Sequence, residues 1–250
     1  VLVPGEVDTA PRGVRAKLAL TARLPRRGRG FWFSLAIDLL WPFVMVFTRS
    51  SWRGGQHLPS SGPVLVASNH LSFADPVTVT AYVLSHGRIP RYLAKASLWR
   101  IPVVRWVLSS GKHIPVHRGS TKATDAYRDA VRSIEDGQCV LFFPEGTFTR
   151  DPHGWPSVAQ AKSGVARLAL ATRAPVVPIG HWGTQHLLPR KVYFPKLLPR
   201  KAIGVQAGPP VDLSDLYGLE PTAAVVREAN ERIMAAITAQ LESVRGESAP

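Results

Sequence analysis

Two short stretches of this chain combine side chains able to do chemistry together. Asn69-His70-Leu71-Ser72-Phe73-Ala74-Asp75 sets an imidazole five residues before a carboxylate. A neutral imidazole can take a proton from a hydroxyl, and a carboxylate on its other nitrogen fixes the tautomer and stabilises the imidazolium that results. Composition alone yields about 0.3 such His-x4-Asp pairs in a chain of this make-up, so the spacing by itself is weak, and an Asp75 helix cap beside a surface His70 reads as well. Phe143-Pro144-Glu145-Gly146-Thr147-Phe148-Thr149-Arg150 adds a carboxylate, a glycine turn, hydroxyls and a guanidinium. Gly146 permits close approach of backbone amides to an anion, and Arg150 can fork onto a phosphate. A third stretch, Gly111 to Arg118, reads as a brief strand that delivers Arg118 at its end.

These groups need a scaffold that brings them together. From Gly62 onward short apolar runs alternate with longer amphipathic stretches, the pattern of an α/β domain. Val64–Ala67 and Cys139–Phe143 read as buried strands, and each ends where one of the two polar stretches begins, the usual mounting point for catalytic loops. Ile114–Val116 and Ala202–Ala207 are further strands. Val176–Ile179 is interrupted by Pro178, which predicts a peripheral or bulged position. Helical spacing covers Thr124–Asp136, Ser163–Thr172 and a long segment opened by Pro221. The expected fold is therefore α/β, a single domain with a central mixed sheet flanked by helices.

The amino-terminal part differs in character. Residues 1–30 read as a basic, Pro- and Gly-punctuated arm with no apolar run ahead of a small-residue cleavage site, hence no secretory signal. Residues 31–50 contain Phe31–Thr48, whose only charge is Asp38, directly behind Arg23, Arg26, Arg27 and Arg29. Basic residues abutting an apolar helix suit a membrane surface, and Trp32 and Trp41 fit the interfacial belt. Asp38 and Pro42 are awkward in hydrocarbon, so the helix is expected to dock on a membrane or enter it partway rather than span it; a buried core helix is the bland alternative. Residues 51–250 form the expected catalytic domain.

The formal net charge is +14, which suits either nucleic acid or anionic lipid. The apolar helix beside the arginines favours lipid, and no zinc-finger or RNA-binding signature supports a non-enzymatic nucleic-acid binder. A lone Cys139 excludes an internal disulfide and fits a reducing compartment. No His-Glu-x-x-His helix occurs and His113 and His117 lie four apart on a strand and its end, so no metal site is expected; His181 and His186 read as structural or exposed.

Taken in order, Asn69-His70-x4-Asp75, Ile114-Pro115-Val116-x-Arg118, Phe143-Pro144-Glu145-Gly146-Thr147 and Val177-Pro178-Ile179 resemble the four sequence blocks of the glycerolipid acyltransferases typified by 1-acylglycerol-3-phosphate acyltransferase. The resemblance spans roughly residues 52–213. It implies transfer of a fatty acyl group from a coenzyme A or acyl-carrier-protein thioester, with no other cofactor, to a hydroxyl of a lysophospholipid or glycerol-phosphate acceptor. Lysophosphatidic acid is the acceptor it favours; another lipid acceptor is the alternative. It assigns His70 as general base, Asp75 as its orienting partner, Arg118 to the acceptor phosphate, and Glu145, Gly146 and Thr147 to glycerol-phosphate binding. Ala94-Lys95-Ala96-Ser97-Leu98 and Lys162-Ser163-Gly164 resemble two further family segments, which would set Lys95 and Lys162 near phosphate; both read equally as solvated residues. Many members carry Arg directly after Glu-Gly-Thr, where this chain has Phe148, and Arg150 is the expected replacement. The implied location is the cytoplasmic face of the cell membrane, peripheral or monotopic, on an anionic lipid surface.

Overall fold

The computed structural model describes residues 7–25, 28–117, 123–192 and 194–250. Helices α1 (Gly13–Arg23) and α2 (Phe31–Phe47) lead into β1 (Thr48–Arg53). Then follow β2 (Val64–Ser68), α3 (Asp75–Ser85), β3 (Pro90–Lys95), α4 (Pro102–Ser110), β4 (Ile114–Val116), α5 (Ala123–Glu135) and β5 (Cys139–Phe142). The chain closes with α6 (Gly164–Thr172), β6 (Val176–Trp182), the single turn α7 (Thr184–Leu187), β7 (Lys201–Ala207) and α8 (Ala223–Arg245). Among the described residues seven strands form one sheet in the order β1-β7-β6-β2-β5-β3-β4, parallel throughout except for the antiparallel pair β6 and β7. The mixed sheet agrees with the sequence reading.

The central strands are buried on both faces, so alternate side chains feed two cores. Val64 and Val66 of β2, with Cys139 and Leu141 of β5, join the layer built with α2 and α3. Leu65, Ala67, Val140 and Phe142 point the other way, into the layer of α5, α6 and α8. Val176–Ile179 is not peripheral: β6 lies third from one edge, between β7 and β2, and is buried from Val176 to His181. Pro178 is tolerated there because its carbonyl accepts from Gly208 N on the β7 side, so its ring nitrogen faces the same way. The β7 ladder begins only at the pair Ile179 and Ala207, so no ladder bond to β2 is lost.

The basic arm is not simply a tail. Within it α1 is helical, and Thr21 Oγ1 accepts a 2.7 Å hydrogen bond from Trp41 Nε1 of α2. Trp41 is therefore inside, not at an interface. Arg26 and Arg27 lie outside the described residues. Helix α2 has no cap of its own; Ser110 Oγ, from the end of α4, accepts from Trp32 N at 3.0 Å. Gly30 makes that approach possible, since a Cβ there would stand 2.2 Å from the Ser110 carbonyl oxygen. One side of α2 packs through Phe33, Ile37, Trp41, Val44 and Met45, while Phe31, Leu39 and Val46 are left exposed on the other. No helix among the described residues is long and apolar enough to cross a membrane.

Candidate active site

Strand order assembles the site. β2 lies between β6 and β5, with Ser68 opposite Ile179 and Ala67 opposite Phe142. The residues that follow these strand ends therefore meet: His70 beyond β2, Phe143 to Thr149 beyond β5, His181 near the end of β6. β3 pairs with the far side of β5, which brings Lys95 to the same end of the sheet. Carboxyl ends of parallel strands are where open α/β sheets mount their ligand sites.

His70 Nδ1 donates to Asp75 Oδ2 at 2.7 Å, which leaves Nε2 as the basic nitrogen. Asp75 is fully buried in the first turn of α3, and the same oxygen also accepts from the amides of Leu71 and Ser72. Burial opposes its ionisation, yet His181 and then His70 hold its carboxyl below the usual carboxylate range. The turn between strand and helix is what lets five residues close on themselves. Ser72 is committed to that turn: its hydroxyl donates to Leu188 O at 2.6 Å and accepts from Ala74 N, so it is no nucleophile.

His181, read from sequence as structural or exposed, is wholly buried behind Asp75. Its Nε2 lies 3.0 Å from Asp75 Oδ1, off the line of a hydrogen bond, and its Nδ1 faces Ser68 Oγ at 3.1 Å. Asn69 clamps the same residue through its backbone, donating to His181 O at 2.9 Å and accepting from His181 N at 3.0 Å. The carboxylate thus has one imidazole on the open side and another on the closed side. The signal available for it was a histidine just past the expected strand Val176–Ile179.

The Phe143–Arg150 loop packs onto the imidazole. Phe143 stacks on His70 with centroids 4.2 Å apart, and Phe148 meets the ring at 4.5 Å. Thr149 N donates to His70 O at 2.9 Å, tying the two loops together, and its hydroxyl donates to Trp155 O. Gly146 takes a left-handed φ of 68°, and its amide closes a turn onto Phe143 O. That amide is accordingly not free to meet an oxyanion. Glu145 is buried beneath the loop, where it accepts from Ser157 N at 2.8 Å. Burial pushes its carboxyl up to about 7, against the pull of Ser157, Thr149 and Arg190.

A cavity of about 510 Å³ opens beside His70. Gly146, Thr147 and Phe148 line it near the imidazole, and Ile37, Leu40 and Val44 of α2 with Val77, Ala81 and Leu84 of α3 make it apolar farther in. Lys95 lines it as well. His113 sits in its wall as an acceptor from Tyr92 N at 2.9 Å, and burial, then Arg91, pulls it down to about 4, so it is neutral there. Among the other expected site residues, Glu145 lies under the loop and does not line the cavity. Lys162 is exposed and contributes its backbone amide to Pro144 O. Arg150 is exposed and lines a separate surface cavity with Trp155 and Gln160. Arg118 lies outside the described residues.

A histidine–carboxylate pair thus lies at the carboxyl ends of a mainly parallel sheet in an α/β protein, beside a largely apolar cavity. The chain belongs to the Acyltransferase family, whose family model matches residues 49–182. It is 32% identical over 157 residues to the chloroplastic 1-acyl-sn-glycerol-3-phosphate acyltransferase BAT2 of Brassica napus, covering 61% of this chain and 43% of that one. It is 26% identical over 178 residues to the 1-acyl-sn-glycerol-3-phosphate acyltransferase of Borreliella burgdorferi, covering 70% and 67%. The match thus spans less than half the length of the Brassica relative. The crystal structure of PlsC, the 1-acyl-sn-glycerophosphate acyltransferase of Thermotoga maritima, shares the fold at a TM-score of 0.60 and 22% identity, over 94% of this chain and 84% of that one.

Proposed function

We propose that this chain transfers a fatty acyl group from a thioester of coenzyme A or acyl carrier protein to the free hydroxyl of 1-acylglycerol 3-phosphate, yielding phosphatidic acid. The observation that carries the reading is His70, bonded to Asp75, at one end of a cavity whose wall is mostly apolar. The acyl chain fills that cavity and presents its thioester carbonyl to the imidazole. His70 Nε2 removes the acceptor hydroxyl proton as that oxygen bonds to the carbonyl carbon; the tetrahedral intermediate then expels the thiolate, which takes the proton from the imidazolium and leaves as thiol. Thr147 and Lys95, which line the cavity, are the donors available to the oxyanion.

The exposed apolar side of α2 supports a membrane-docking role. Leu39 is 68% and Val103 of α4 63% exposed, and Trp32 stacks on Trp106 at 5.1 Å between those two helices. At about 1.5 Å per residue α2 is about 25 Å long, short of the ~30 Å hydrocarbon core, so it lies in the interface. Such docking, on an anionic and cytoplasmic leaflet, holds the site beside its lipid acceptor. The test is the purified protein with palmitoyl- or oleoyl-coenzyme A and a panel of lysophosphatidic acid, glycerol 3-phosphate and lysophosphatidylcholine, with products read by mass spectrometry. Preferred formation of phosphatidic acid is the expected result; a different preferred acceptor replaces the substrate assignment.

A further inference from the structure

We infer that Arg190 holds the phosphate of the acyl acceptor. The inference deepens the reading above and rests on it.

Arg190 belongs to the loop between α7 and β7, which is pinned to the His70 loop at two points. Ser72 Oγ donates to Leu188 O at 2.6 Å, and Arg190 Nε donates at 3.0 Å to the carbonyl of Leu71, the residue after His70. Its guanidinium carbon lies 5.4 Å from the centroid of the Phe148 ring, and that ring is the one packed 4.5 Å from His70. The guanidinium and the imidazole therefore both lie against the same phenyl ring. Leu71 O occupies Nε and Phe148 lies beside the planar group, while the residue is exposed overall. Among the described residues no hydrogen bond is made by its two terminal nitrogens. A guanidinium held at its stem, near the buried Glu145 carboxyl but with neither terminal nitrogen hydrogen-bonded among the described residues, is able to make a bidentate contact with a phosphate.

Its surroundings have the matching charge. Residues 189–201 carry Arg190, Lys191, Lys196, Arg200 and Lys201 and no carboxylate, which makes that rim attractive to anions. Arg150, two residues past Phe148, opens onto a different cavity. The acceptor's geometry fits as well: in a 1-acylglycerol 3-phosphate the free hydroxyl and the phosphate ester oxygen are on adjacent carbons. A hydroxyl on His70 Nε2 thus brings the phosphate to within about one ring's width, where Arg190 waits. Phe148 shields the imidazole from water, and the cation arrives from the neighbouring loop rather than from the position after Thr147.

The experiment compares wild type, Arg190→Gln, Arg190→Lys and Lys191→Ala, the last removing an equal charge one residue away, with oleoyl-coenzyme A and varied lysophosphatidic acid. Inorganic phosphate serves as competitor. Arg190→Gln is expected to raise KM for lysophosphatidic acid by about 10–100-fold, the scale of charge-assisted hydrogen bonds, with kcat changed little and inhibition by phosphate lost. Arg190→Lys retains part of the affinity, and Lys191→Ala, which removes one rim charge but not the fork, raises KM far less than Arg190→Gln does. A fall in kcat at unchanged KM in both Arg190 variants would show that the side chain only props Leu71 and Phe148, and an unchanged KM and kcat would equally overturn the inference. A wild type that acylates no phosphate-bearing acceptor overturns the reaction assignment as well, so the two failures are separated by which protein shows them. Should Arg190→Gln fail to fold, as judged by circular dichroism, the Arg190→Lys comparison carries the same decision.

Discussion

At the scale of single residues, the chemistry rests on how one carboxylate is shared. Asp75 Oδ2 takes His70 and two amides, while Oδ1 faces His181. His70→Ala should lower turnover by at least about 10²–10⁴-fold without unfolding the protein, checked by initial rates and circular dichroism. His181 acts through Asp75. Because Asp75 has a depressed native pKa, its contribution to stability is present above its unfolded value and is lost as pH falls. His181→Ala removes the leading favourable partner, so loss of both activity and melting temperature on acidification should begin at higher pH than in wild type. Glu145 has the opposite sign. Its native pKa, about 7, lies above its unfolded value of 4.5, so the folded state holds the proton more tightly and stability declines as pH rises from 4.5 to 7. Glu145→Gln should flatten that decline in a pH series of thermal melts; an unchanged slope would remove Glu145 as its source.

At the scale of elements, α2 and α3 serve as cavity walls as well as core. Ala81 of α3 lines the cavity and is itself buried, so a larger side chain there fills space that an acyl chain would use. Ala81→Leu should shift preference from palmitoyl- toward decanoyl-coenzyme A, measured as the ratio of kcat/KM values, and an unchanged ratio would mean that the chain lies elsewhere. Strands β2 and β5 and helix α5 were legible because their hydrophobic periods are strong, whereas α3, β3 and α4, between β2 and β4, were not read from the sequence. Trp41 and β6 were misread for the same physical reason: side-chain type and a proline describe local preference, whereas burial depends on which neighbour arrives. Thr21 reached Trp41, and β7 began its ladder one residue past Pro178.

At the scale of the whole molecule, charge and apolar exposure act together. The net charge of +14 accompanies exposed Leu39 and Val103 on α2 and α4 and exposed Phe194 and Leu198 on the basic 189–201 loop. Co-sedimentation with anionic vesicles should fall when salt rises from 0.15 M to about 0.5 M, since the Debye length then shortens below about 8 Å. Leu39→Glu should weaken binding at every salt concentration because it places a charge on the apolar side. Vesicle binding that ignores both changes would argue against interfacial docking.

From the sequence alone came the reacting pair, the α/β alternation and the family resemblance, because each is written in local spacing: His70 and Asp75 in one turn, strands in apolar runs, loops at their ends. Neither His181 nor Arg190 was visible in that way. Their places follow from the order β6-β2-β5-β3 and from a loop that returns to Leu71 across more than a hundred residues. Such pairings arise from burial and strand register summed over the whole sheet, so only the folded chain decides which distant residues share the imidazole's surroundings.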